Sequence, residues 1–302
     1  GANGVLVVSS TDNNRVRAIN VQTTNVAVAA QTLTPGQIVT VIGTGAIGLE
    51  GDGLTGPAAQ LLFPTAVAVD SQGNVYVGEA NGRLRVVAGS NGLTFAGQVV
   101  AAGRVGTLPA VLPNATPAVV TPQFVAQNRD GPIYFTDSAI SDPRSNRALR
   151  LDPQSGDLTS ILGSGLIGDS GDGGPAEEAR VGQLGSPALS PDGRVLCVPD
   201  VTHHRIRAVN LSPGPVIFLG VTIAPGAVET VAGVGQVTSG SVVPLGDGGA
   251  ATAASLAQPT ALDFDSRGLL WISDSGNNRI RVANPTQTSQ IVLGATISPD
   301  QI

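Results

Sequence analysis

Few residues in this chain are of types that do chemistry, and they are scattered. His203 and His204 are its only histidines and sit side by side. Imidazoles ligate metals, but a metal cage needs three or four convergent ligands, and two neighbours on one loop cannot form it alone. Asp263 interrupts the apolar run from Thr260 to Phe264, and Asn128 follows another strand-like run. They are the inner-strand oxygens open to a hard cation such as calcium, which takes six to eight. Asp169 and Asp172 fall in GDSGDGG, short of the ligand count of a dedicated calcium loop. No Gly-x-Ser-x-Gly elbow lies near a histidine, and no phosphate-cradling Gly loop precedes a helix. The ligand-contact candidates are therefore Asp263, Asn128, His203 and His204. Each has a structural alternative: a paired carboxylate at Asp263, and loop positions held elsewhere by Asn at the histidines.

The elements that must position these residues are clearest between Gly246 and Asn284. A Gly-Asp-Gly loop leads through an Ala-rich turn and Pro259 into the apolar run Thr260 to Phe264. Asp265-Ser266-Arg267-Gly268 has hairpin-turn residues, with Gly supplying the positive φ. A second apolar run, Leu269 to Ile272, should pair antiparallel with the first, both being buried on two faces. The SGNN loop then leads into Arg279-Ile280-Arg281-Val282, whose alternation of charged and apolar residues predicts a half-exposed third strand further from the core.

This unit recurs. NRVR from Asn14, GRLR from Gly82, NRALR from Asn146, HRIR from His204 and NRIR from Asn278 are five copies of the third-strand start. The first Arg of each is Arg15, Arg83, Arg147, Arg205 and Arg279. Second strands end in Asp137, Asp200 and Asp274, with Glu79 in that place in the second copy. The Gly-Asp-Gly loop returns at Asp52, Asp172 and Asp247, where the carboxylate can cap a short turn. All sixteen basic residues are Arg, whose planar fork suits a carboxylate of the same or an adjacent unit; Asp274 and Arg279 are expected to be neighbours.

This order of motifs resembles the NHL-repeat family over nearly the whole chain. The resemblance implies an all-β β-propeller of NHL-like four-stranded blades, five recognisable here and a sixth outside the sequence as one expectation. The expected units are about 1–45, 46–106, 107–165, 166–235 and 236–302 of a single domain. The first lacks an inner strand and the last is cut short, so further sequence, trimmed ends around a complete ring, and a strand added by another chain all stay open. The 138–145 insertion departs from the family pattern. A lyase branch of the family surrounds a metal with several histidines, and related hydrolases hold calcium in the channel; this chain lacks both sets.

The net charge of −6 lacks the basic footprint that nucleic-acid binding needs, and no stretch is long and apolar enough to span a membrane. The single cysteine, Cys197, lies mid-strand and is expected to be a buried, inert thiol. No cofactor is expected, with calcium as the ion to test. The leading reading is a non-catalytic platform that binds another protein or a surface assembly. The resemblance adds a bacterial source and an extracellular, periplasmic or cell-surface location. The alternative is a metal-assisted hydrolase or lyase at the channel mouth.

Overall fold

The computed structural model describes residues 4–95, 97–108, 122–127, 131–137, 146–152, 155–235 and 245–302. Asn128 and the 138–145 insertion lie outside them. The chain divides into two compact units, residues 1–137 with 149–159, and 138–148 with 160–302.

In the first unit, β1 (Val5–Ser10), β2 (Arg15–Asn20) and β5 (Ile38–Ile42) form an antiparallel sheet in that order. Between its last two strands the chain makes a separate ribbon of β3 (Val26–Val28) and β4 (Gln31–Leu33). The next repeat adds an inner strand. Its β6 (Pro64–Val69), β7 (Val75–Glu79), β8 (Leu84–Val87) and β11 (Val105–Leu108) form a four-stranded sheet, with β9 (Leu93–Phe95) and β10 (Gln98–Val100) as its ribbon. A third sheet follows in chain order: β12 (Pro122–Gln127), β13 (Ile133–Asp137), β14 (Arg147–Leu151) and β15 (Leu158–Leu162).

The second unit repeats the scheme. β16 (Ala188–Leu189), β17 (Val195–Asp200), β18 (Arg205–Asn210) and β21 (Val228–Ala232) make four strands, with the ribbon β19 (Val216–Phe218) and β20 (Val221–Ile223). The last sheet has β22 (Pro259–Phe264), β23 (Leu270–Asp274) and β24 (Arg279–Ala283), with the ribbon β25 (Gln290–Val292) and β26 (Ala295–Ile297).

The turn predicted at residues 265–268 forms: Gly268 N donates to Asp265 O, and Asp265 Oδ1 accepts from Arg267 N and Leu269 N. Apolar side chains of consecutive sheets then pack face to face. Cys197, Ile206 and Val231 meet Leu256, Leu262 and Ile272 in one cluster, and Val16, Val41 and Ile42 meet Leu61, Val75 and Val77 in another.

Burial departs from expectation in the last sheet. β22 is half exposed rather than buried on both faces, with Leu262 inside and Asp263 out; Trp271 is only half-buried. The third strand does not simply turn its apolar residues inward: Arg85, Arg207 and Arg281 are buried, while Ile280 is 64% exposed. The carboxylates expected to cap the short turns do not do so, and the turns at Gly56–Ala58, Ala176–Glu178 and Ala251–Ala253 have no side-chain cap. Both differences have one cause, given below: the loop Asp accepts a guanidinium instead.

Each ribbon-bearing third strand that ends in Asn closes with the same knot. Asn20, Asn210 and Asn284 are buried. Asn210 Nδ2 donates to Gly214 O (2.8 Å) and Ile223 O (2.9 Å), and its Oδ1 accepts from Ser212 N (2.9 Å). Asn20 bonds Thr24, Leu33 and Gln22 in the same way, and Asn284 bonds Thr288, Ile297 and Thr286. The ribbon is thus tied at both ends to one amide. Asn210→Ala leaves two carbonyls without their donor and is expected to cost about 2–4 kcal/mol in urea unfolding, whereas a change under about 0.5 kcal/mol would show that the knot is incidental.

Candidate functional site

The second Arg of the repeated motif, not the first, is the anchor. Arg85 Nη2 reaches Asp52 Oδ1 at 2.6 Å while Nη1 donates to Gln60 O at 2.7 Å. Arg281 Nη2 bonds Asp247 Oδ1 (2.6 Å) and Leu245 O (2.9 Å), and Nη1 donates to Ser255 O (3.3 Å). Arg207 pairs with Asp172 and donates to Ser170 O and Arg180 O. One planar fork therefore grips the Gly-Asp-Gly loop at its carboxylate and at the carbonyls flanking it. Burial raises the pKa of Asp52, but hydrogen bonds from Thr107 and Arg85, with the charges of Arg85 and Arg83, outweigh it and hold the carboxyl below its usual value.

The first arginines sit around this anchor. Arg83 lies 3.7 Å from Glu79 and 3.9 Å from Asp52, and Arg205 lies 3.6 Å from Asp200 and 3.9 Å from Asp172. Arg279 is 3.5 Å from Asp247 and half exposed. Its backbone pairs with Asp274, but the Asp274 carboxylate turns instead to Ala257 N, Asn277 and Arg281. Arg15 and Arg147 donate to Thr44 O and Ser164 O. Glu79 accepts from Leu62 N, as Asp200 does from Gly182 N, and burial raises the Glu79 pKa despite that bond and the nearby arginines. Asp137 is buried at the same strand end.

The histidine pair occupies the asparagine places atom for atom. His203 Nδ1 lies 2.8 Å from Asp200 Oδ1, as Asn277 Nδ2 lies 2.8 Å from Asp274 Oδ2. His204 has the left-handed φ of 53°, matching Asn278, and its Nδ1 accepts from Gln258 N at 2.9 Å, as Asn14 Oδ1 accepts from Phe63 N. A Cβ at Gly233 would meet the His204 carbonyl at 2.6 Å, which keeps that position glycine. Asp263 is exposed and accepts only its neighbour's amide, Phe264 N, among the described residues. The expectation that it is buried and must be paired is corrected by that exposure: in water the carboxylate needs no partner. No three His, Cys, Asp or Glu among the described residues could hold a metal. Cys197 is fully buried, and burial pushes its thiol far above the ordinary value.

What the sequence reading missed is a cleft in the second unit. It lies between the ribbon β19–β20 and the Asp265–Gly268 turn, is floored by Phe218 and Phe264 and flanked by Arg194 and Arg267. The two rings meet edge to face, 6.2 Å between centroids. The only sequence signal was the pair of aromatics where the first unit has Val28 and Val69.

Solved structures with this architecture are β-propellers. An auxiliary nutrient binding protein from Bacteroides thetaiotaomicron matches 93% of this chain and 59% of its own at a TM-score of 0.55 and 16% identity. Its counterpart from Bacteroides ovatus matches 91% and 57%, at 0.52 and 14%. A gluconolactonase from Xanthomonas campestris matches 98% and 73%, at 0.52 and 17%. The chain thus spans less than two thirds of either nutrient binding protein, and the likeness is one of fold. No curated protein sequence matches the chain. The NHL-repeat family model matches residues 256–283, the segment running from the short turn through the third strand of the last sheet. The chain thus carries an NHL repeat at residues 256–283 and has the β-propeller fold.

Two predictions follow from this geometry. Arg207→Ala strands a carboxylate and two carbonyls and is expected to cost about 3 kcal/mol, whereas Arg205→Ala costs under about 1 kcal/mol; equal losses in denaturant titrations would remove the distinction between the two arginines. His204 is held below its ordinary 6.5, by burial first and by His203 second, against Asp200 and Asp274. The folded protein therefore binds fewer protons than the unfolded chain just beneath that value. Stability from this group is whole above pH 6.5 and is lost as pH falls through the folded pKa. The Tm of His204→Asn, which keeps the acceptor and the left-handed φ, should fall less than wild type between about pH 7 and about pH 5; parallel curves would be the contrary result.

Proposed function

We propose that the chain is a non-catalytic binding propeller that works outside the cytoplasm and holds another protein, or a surface assembly, through its inserted ribbons. One observation carries this reading. The outward rung of each of the four ribbons among the described residues pairs an apolar residue with Thr: Ala27 with Thr32, Val99 with Thr94, Ile217 with Thr222, and Ile291 with Thr296. All eight are exposed, Val99 at 79%, Ile217 at 66% and Ile291 at 68%. Water-facing rungs need no β-branched apolar side chain for folding, and recurring exposed apolar sites mark interaction surfaces. Further support comes from the anchors: the repeated Asp and Arg side chains and the histidine pair are engaged in structural bonds rather than turned together on a common point. Two fold relatives are auxiliary nutrient binding proteins, a binding role that agrees in kind.

A second reading, a metal-assisted hydrolase or lyase, is favoured by Asp263, an exposed carboxylate on an inner strand. No helix among the described residues is long and apolar enough to cross a membrane.

The test is chemical cross-linking to the surface fraction of the source cells. Replacing Val99, Ile217 and Ile291 with Asp should abolish the cross-linked species while Tm stays within about 3 °C of wild type. Undiminished cross-linking would sink the ribbon surface, and calcium-dependent ester hydrolysis lost in Asp263→Asn would make the enzyme reading the better one.

A further inference from the structure

The ribbon of the first repeat and that of the fourth are the same element in two states. In the first unit the ribbon lies on the turn of the following repeat: Ala29 N donates to Gly73 O at 2.8 Å, and a Cβ at Gly73 would sit 3.2 Å from Ala27 O. In the second unit Leu219 and Gly268 hold the equivalent places, and no such bond joins them among the described residues. A Cβ at Gly268 would meet only Thr286, at 3.5 Å. The difference has a steric cause in the pair beneath. Val28 and Val69 let the ribbon settle, whereas the edge-to-face rings of Phe218 and Phe264 prop it away from the turn.

The propped ribbon leaves a cleft of about 560 Å3, inside the range of about 300–1,000 Å3 usual for small-molecule sites. Its floor is aromatic and aliphatic, with Phe218 and Val216 buried beneath it. Its two cations differ. Arg267 is immobilised, with Nε and Nη2 on Asp265 and Nη1 on the Ile291 carbonyl. Arg194 lines the same cleft, is exposed, and its guanidinium has no hydrogen bond or ion pair among the described residues. Asp192, the acidic side chain on this rim, has Oδ1 occupied by Ser190 Oγ and Arg194 N.

We propose that this cleft is a binding site for a small organic acid, its aromatic or branched apolar body resting on Phe218 and Phe264 and its carboxylate taken by Arg194. A planar guanidinium with its donors free matches a carboxylate bidentately, and the apolar floor rejects small hydrophilic anions. Of the exposed ribbon rungs only Ile217 lines the cleft, so the apolar floor and the cation of the site stand whether or not the rungs hold a protein.

Trp271 supplies the readout, being the chain's only tryptophan and bonded through Nε1 to Asp265, the carboxylate that holds the cleft-lining Arg267. Titration of the full chain with 4-phenylbutyrate is expected to give a saturable change in its fluorescence, with Kd below about 1 mM, and calorimetry should give the same Kd. Arg194→Gln should weaken phenylbutyrate at least about tenfold and leave the weaker binding of 4-phenylbutanol unchanged. The double variant Phe218→Val, Phe264→Val, which copies the closed repeat, should lose both ligands while retaining a cooperative melt. Absence of saturable binding to the wild type by both methods would overturn the site. Equal affinity of wild type and Arg194→Gln for phenylbutyrate would overturn the carboxylate assignment.

Discussion

A buried guanidinium held by a loop carboxylate is the interaction on which each repeat with a Gly-Asp-Gly loop depends. The Gly-Asp-Gly loop has little apolar side chain with which to hold itself against the sheet, and glycine adds backbone entropy to be lost on folding. Arg85, Arg207 and Arg281 solve this by reaching from the third strand to the Asp and to carbonyls on the loop's flanks. The loop backbone in turn bonds the outermost residue of its own repeat, Gly53 to Val105, Gly173 to Val228 and Gly248 to Ile302. The guanidinium thus braces strand, loop and edge together. Where the described residues contain no Gly-Asp-Gly loop, the equivalent Arg is not buried: Arg17 is exposed and Arg150 is half-buried beside Asp152.

The ribbons follow from a second constraint. An excursion of seventeen residues between third and fourth strands, as from Asn210 to Val228, would be a costly loop unless closed locally, and the buried Asn at its base closes it with hydrogen bonds to both limbs. Once tied, a two-stranded ribbon has one face on the sheet and one in water. The inward residues, such as Val28, Leu33, Phe218 and Ile223, become core, and the outward ones are free to vary. Their recurrence as apolar and Thr pairs is what the proposed surface rests on. Over the inward pair Phe218 and Phe264 the ribbon borders a cleft.

The chemistry-bearing residues are distributed accordingly. The histidines stand in for asparagines at a left-handed loop position, where an acceptor for the next repeat's backbone matters more than basicity. The carboxylates ending the second strands cap backbone amides just before the inner strand of their own repeat. These uses explain conspicuous polar residues without a reaction, and they leave Asp263 and Arg194 as exposed charges with little to do in folding.

The order of strands, the turn at Asp265, the repeat period and the inertness of Cys197 were legible in the sequence, because each depends on local pattern: apolar alternation, turn residues and motif recurrence. The residue type that begins the insertions, Asn20, Asn210 and Asn284, can be read in the chain, but its bonds to both limbs of the ribbon cannot. Which Arg of the pair would be buried was not legible, since both occupy strand positions and only the loop some thirty residues earlier selects Arg281 over Arg279. Likewise Asp263 and Phe264 adjoin in an apolar-looking run, yet one faces water and the other meets Phe218. Local periodicity determined the β architecture by itself. The charge anchors and the open cleft were decided only in the tertiary structure, because both are made by side chains distant in sequence whose mutual reach depends on how neighbouring repeats pack.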